Sequence, residues 1–79
     1  MARQGAKLIA ALEAEARAHR QIVNIGDELK TVYMAGETPD EDEMQRLRQA
    51  YEALLGAARA VHLAAHDELT LVSRKVRAA

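Results

Sequence analysis

The stretch Gly36-Glu37-Thr38-Pro39-Asp40-Glu41 does most to narrow what this chain can fold into, because it ends one helix and starts another almost at once. Gly36 can take the left-handed backbone conformation that closes a helix without a Cβ clash. Thr38 reads as an N-cap, its hydroxyl free to accept a bond from an unpaired N–H of the next turn. Pro39 then falls at the first helical position, where its missing N–H costs nothing. Glu41, three residues after Thr38, completes a T-x-x-E capping box. Asp40, Glu41, Asp42 and Glu43 load the first turn with negative charge, which the helix dipole favours. The spacing predicts one helix over about residues 5–35 and a second over about residues 39–76.

A connection this short forces the two helices antiparallel. The expected fold class is all-α, an antiparallel two-helix hairpin forming one domain over residues 1–79. Composition agrees: Ala, Leu, Glu and Arg dominate, with a single Pro and no Phe, Trp or Cys, and these residues favour helix. Residues 1–6 and the basic stretch from Ser73 onward read as frayed ends. Setting residue 35 opposite residue 40 brings Gly26 near Gln49 and Ala50 and makes the two arms nearly equal in length. Gly26 costs its helix roughly 1 kcal/mol relative to Ala, which fits either a close backbone approach or a position under no constraint. Gly56 is a second candidate for close approach.

The apolar positions run at helical spacing. In the first helix they are Leu8, Ala11, Ala18, Ile22, Ile25, Leu29 and Val32, interrupted by Glu15, with Ile9, Leu12, Val23 and Tyr33 alongside. The steps of three and four mark a heptad seam. The second helix carries two adjacent seams. One is Met44, Leu47, Tyr51, Leu54, Ala58, Val61, Ala65 and Val72. The other is Tyr51, Leu55, Ala58, His62, Ala65, Leu69, Val72 and Val76. Ala50, Ala53, Ala57, Ala60 and Ala64 form a small-residue flank. A lone hairpin cannot cover this much apolar surface. The expectation is a homodimer closing an antiparallel four-helix bundle, or a hairpin docked on another protein. Tyr51, Leu55, His62, Leu69 and Val76 are the candidate partner-binding residues.

Charge is balanced overall, at −1, but not along the hairpin. Glu37, Asp40, Glu41, Asp42 and Glu43 gather at the turn, while Arg3, Lys7, Arg74, Lys75 and Arg77 gather at the open end. The hairpin is a dipolar rod, acidic at the tip and basic at the base. Helix dipoles select this distribution without any functional demand; it also suits steering of an oppositely charged partner.

The sequence excludes most chemistry. Ser73 is the only Ser, Cys is missing, and there is no Gly-rich phosphate loop, so no catalytic or cofactor-binding residues are assigned and the protein reads as non-enzymatic. His62 and His66 stand four apart, followed by Asp67 and Glu68. However, the hairpin register puts His62 nearer Glu13 than His19, and no Glu-x-x-His occurs, so no metal ligands are assigned. Charging His62 within an apolar seam would be costly, which predicts pH-sensitive association. Arg17, Arg20, Arg46, Arg48 and Arg59 are interspersed with acids, an arrangement that argues against nucleic-acid binding. A small RNA-binding or metal-binding helical bundle is the alternative class. No signal peptide or membrane-length apolar run is evident, and the expected location is cytoplasmic.

One further pattern covers about half the chain, from Leu29 to Leu69. Leu29-Lys30, Met34-Ala35-Gly36, a short polar turn, Tyr51-Glu52-Ala53-Leu54 and Ala57-Ala58 together resemble the small helical-hairpin co-chaperones of type III secretion needle subunits. The resemblance implies a cytoplasmic, non-enzymatic hairpin that holds an aggregation-prone needle protein together with a second chaperone. The Pro-initiated acidic turn and the long basic tail depart from that pattern, so no partner-contact residue carries over. The layout is also similar to small phage-encoded hairpin proteins that inhibit host regulators.

Overall fold

The structure, a computed structural model, describes residues 5–78. Two helices account for nearly all of them, α1 over Ala6–Met34 and α2 over Glu41–Ala78. They pack antiparallel into an all-α hairpin, a rod 63 Å long and 22 Å by 17 Å across. The part of the predicted frayed N-terminus at residues 1–4, Arg3 included, lies outside the described residues. At the other end the basic stretch after Ser73 is helical through Ala78. Arg74, Lys75, Arg77 and Ala78 are good helix formers there, and cations near a helix C-terminus are favoured by its dipole.

The turn closes α1 as its glycine predicts. Gly36 has φ 77°; its N–H donates to the Tyr33 carbonyl at 3.0 Å and the Glu37 N–H to the Val32 carbonyl at 3.1 Å. These two bonds are the Schellman arrangement. The start of α2 differs from the sequence reading. The capping residue is Asp40, not Thr38, and Pro39 lies just outside the helix. Asp40 Oδ1 accepts from the Glu43 N–H at 2.8 Å, and Glu43 Oε1 accepts from the Asp40 N–H at 3.2 Å. The capping box is therefore D-x-x-E, two residues later than T-x-x-E, and Glu41 is the first helical residue. A carboxylate accepts a backbone N–H more strongly than a hydroxyl does, and Glu43 is spaced to return the bond to Asp40. Asp40→Ala is expected to lower stability by about 1 kcal/mol, a drop of about 4–8 °C in Tm for a domain of this size. Thr38→Ala should stay within about 0.5 kcal/mol. Thermal melts of the two variants by circular dichroism check this, and the reverse ranking would contradict the assignment.

The first turn of α1 has no side-chain cap and no acidic residue. Gly5, at φ 79°, starts it, and the Glu68 carboxylate of α2 lies 3.6 Å from where a Gly5 Cβ would stand. Negative charge at a helix N-terminus is favourable, so α2 supplies what α1 lacks. The same proximity fixes the register at the base, as the Arg46–Glu28 ion pair at 3.2 Å does nearer the tip. Both partners of that pair are half exposed, so it reports register more than it adds stability.

The arms are unequal. With Gly5 beside Glu68, α2 runs on past the start of α1 by about ten residues, or roughly 15 Å. Gly26 and Gly56 both have open space where a Cβ would be, so neither marks a close approach within the hairpin.

The core is small and sits in the half nearest the turn. Ile25, Leu29 and Ala50 are the buried apolar residues among those described, with Ile22 and Leu47 packed against them. On α1 the seam is the one read from the sequence: Leu8, Ala11, Glu15, Ala18, Ile22 and Val32 are half-buried around Ile25 and Leu29. On α2 it is rotated. Ala50 is 2% exposed, whereas Tyr51 is 54% exposed and Met44 also faces solvent. The hairpin contact uses Glu43, Leu47, Ala50, Leu54, Ala57, Val61, Ala64 and Glu68. The helices meet along Ala50, Ala57 and Ala64 of the alanine flank, while Ala53 and Ala60 are exposed, because small side chains let two backbones approach closely.

Candidate partner-binding face

Rotating α2 toward its alanines leaves its larger apolar residues uncovered. Tyr51, Leu55, His62, Leu69 and Val76 are all exposed, Leu69 and Val76 to about 70%. Their spacing of four and seven puts them in one stripe down the helix. Met44 and Val72, also exposed, flank it.

The first helix contributes to the same side, which spacing within either helix alone does not reveal. Leu12, Glu15, Ala16 and His19 from α1 meet Leu54, Leu55 and Ala58 from α2 around one shallow groove at mid-length. Leu12 and His19 continue at seven-residue spacing through Gly26 to Tyr33, and Ala16 through Val23. Leu12, Val23 and Tyr33 are exposed. Hence both helices turn a second apolar stripe to one side of the hairpin, and the two stripes merge across the groove. The Arg46–Glu28 ion pair lies on the opposite side, and Leu63 and Leu71 are exposed on α2 outside the stripe.

The histidines are not gathered. His19 lines the central groove, His62 is further toward the base, and His66 lies at the edge of the stripe beside Leu69, with Nδ1 4.0 Å from Asp67 Oδ1. No group of three or more His, Asp or Glu side chains is placed to hold a metal ion among the described residues. His66, Leu69, Thr70, Ser73, Arg74 and Arg77 line a separate shallow depression on the overhanging end of α2.

No family model matches the chain, and comparison with curated proteins and with solved structures gives no match.

What the face can do follows from its chemistry. It is long, shallow and apolar, with a histidine and a glutamate in its central groove. Such a surface suits an amphipathic helix or a matching helical pair, which can bury their own apolar faces in it. Interaction sites on small proteins are commonly built from contiguous exposed apolar surface. No helix is long and apolar enough to cross a membrane among the described residues.

Proposed function

We propose that this protein is a non-enzymatic protein-binding module that works through the apolar side of its hairpin. The observation that supports this reading is the merging of two uncovered stripes, one from each helix, on a single side. Tyr51, Leu55, His62, Leu69 and Val76 are the α2 contacts, and Leu12, His19, Val23 and Tyr33 are the α1 contacts. A partner helix laid along the groove would find apolar surface on both flanks. The resemblance to needle-subunit co-chaperones gives this module one concrete form, a holder for an aggregation-prone helical protein. The other form is an inhibitor of a host regulator. A cytoplasmic setting goes with the co-chaperone form.

The test is co-purification from the native host with the wild type and two variants. Leu55→Glu/Leu69→Glu puts charge into the face, and Leu63→Glu puts charge on α2 outside the stripe. All three should remain helical by circular dichroism. A partner retained by the wild type and by Leu63→Glu, but reduced at least tenfold with the double variant, is the expected result. Equal retention by the double variant would overturn the reading.

A further inference from the structure

We infer that in the absence of another partner this apolar side is covered by a second copy of the same chain, laid face to face and tip to base, so that the acidic turn of each hairpin meets the basic end of the other. The inference rests on the reading that the apolar side is a protein-binding face, and it names the occupant and its orientation.

The first argument is the size of the core. Ile25, Leu29 and Ala50 are the only buried apolar residues described in a chain of 79. Domains this small need more than such a core, and oligomerisation is one way to supply it. The area available is sufficient. One broad side of a rod 63 Å by 22 Å presents on the order of 1,000 Å², against the ~800 Å² per partner that a stable interface buries.

The second argument is charge. Two hairpins with matching faces can pair tip to tip or tip to base, and in both arrangements every neighbouring helix pair is antiparallel. Helix dipoles therefore do not choose between them; side chains do. Tip-to-tip pairing brings both sets of Glu37, Asp40, Glu41, Asp42 and Glu43 together. Tip-to-base pairing sets them beside Lys7, Arg74 and Arg77 of the other copy. Like-charge crowding disfavours the first arrangement, and complementarity favours the second and fixes its register.

The third argument is the overhang. The last ten or so residues of α2, roughly 15 Å of helix, project beyond α1 yet keep apolar residues, Val72 and Val76, in line with the stripe. Among the described residues, α1 starts only opposite Glu68. In a tip-to-base pair, the two-fold axis crosses the hairpin at mid-length, near His19 and Leu55. The overhang then reaches the other copy's turn, where Tyr33 and Met34 are among its most exposed apolar residues. The overhang thus has the length and polarity to cap the tip of a second hairpin, with Arg74 and Arg77 placed toward Glu37 and Asp40.

The rotated seam on α2 fits as well. Leu47, Leu54 and Val61 lie between the alanine flank that meets α1 and the Tyr51 stripe that would meet the second copy. That is the central position of a helix in a four-helix bundle, which contacts two neighbours at once.

The chain has no cysteine, so single thiols report orientation cleanly. Sedimentation of the wild type at micromolar concentration is expected to give twice the chain mass. Leu55→Arg should weaken association at least tenfold, and Leu63→Arg should leave it unchanged. Under mild oxidation, Glu37→Cys mixed with Arg74→Cys should give a disulfide-linked pair, and Leu55→Cys should link to itself across the axis. A wild-type monomer overturns the inference while leaving the binding of a different protein open to the co-purification test. Efficient self-linking of Glu37→Cys, with no Glu37→Cys to Arg74→Cys product, overturns the tip-to-base orientation. A dimer unaffected by Leu55→Arg overturns the assigned face.

Discussion

Leu29→Ala is expected to lower the unfolding free energy by about 2–4 kcal/mol, the range for a truncated core leucine. Leu29 is 7% exposed and packs with Ile25 and Ala50, while Ile22 and Leu47 close the cluster. Removing its isobutyl group takes apolar area out of the contact and leaves a hole that two stiff helices cannot readily collapse into. The loss matters because the total is small: at roughly 0.05–0.15 kcal/mol per residue, a chain this size has about 4–12 kcal/mol of stability. The variant should lose at least about a sixth of the urea-unfolding free energy at matched protein concentration, and its Tm should fall by about 8 °C or more. Leu63→Ala, a truncation of a leucine that is exposed outside the stripe, should change stability by no more than about 0.5 kcal/mol. Similar losses from the two truncations would mean that the core does not lie where the structure puts it.

The hairpin itself was legible because its signals are local. Gly36 needs only its own backbone freedom to end α1, and the acidic residues after Pro39 need only a nearby helix N-terminus. The cap was misplaced by two residues because two overlapping boxes, Thr38–Glu41 and Asp40–Glu43, both fit the pattern. The sequence does not say whether hydroxyl or carboxylate wins, but the chemistry of the acceptors does. The α1 seam could be read because its large residues, Ile22, Ile25 and Leu29, stand on one narrow stripe. On α2 there are two stripes, and spacing ranks the larger side chains first. It therefore put Tyr51 in the seam and Ala50 beside it. Burial within the hairpin reverses this order, because the closest approach of two backbones selects the smaller side chain. Tyr51, Leu55, His62, Leu69 and Val76, chosen from spacing as candidate contacts, are exposed. What spacing could not supply was α1's share of the same face. That Leu12 and His19 lie across the groove from Leu55 and Ala58 depends on register and on the side to which each antiparallel helix turns its stripe. Neither is written in one helix alone.

Ala50→Leu is the second large effect expected, and it separates the two accounts of α2. Leu and Ala have similar helix propensity, so the substitution reads packing and little else. At 2% exposure Ala50 has no room for three more carbons. The helices must move apart or the new side chain must leave its rotamer well, at a cost of about 1–3 kcal/mol. Ala53→Leu adds the same atoms one turn away at an exposed position and should stay within about 0.5 kcal/mol. If the contact ran instead through Tyr51, Ala50 would stand at its edge and tolerate the leucine as Ala53 does. Urea melts of the two variants at one protein concentration decide the matter: a clear gap places the alanine flank between the helices, and equal stability removes it. The same gap bears on association. Only if α1 occupies the alanine side of α2 is the Tyr51 side left free for a second chain, so an Ala50→Leu variant as stable as the wild type would weaken the case for the partner-binding face along with the seam.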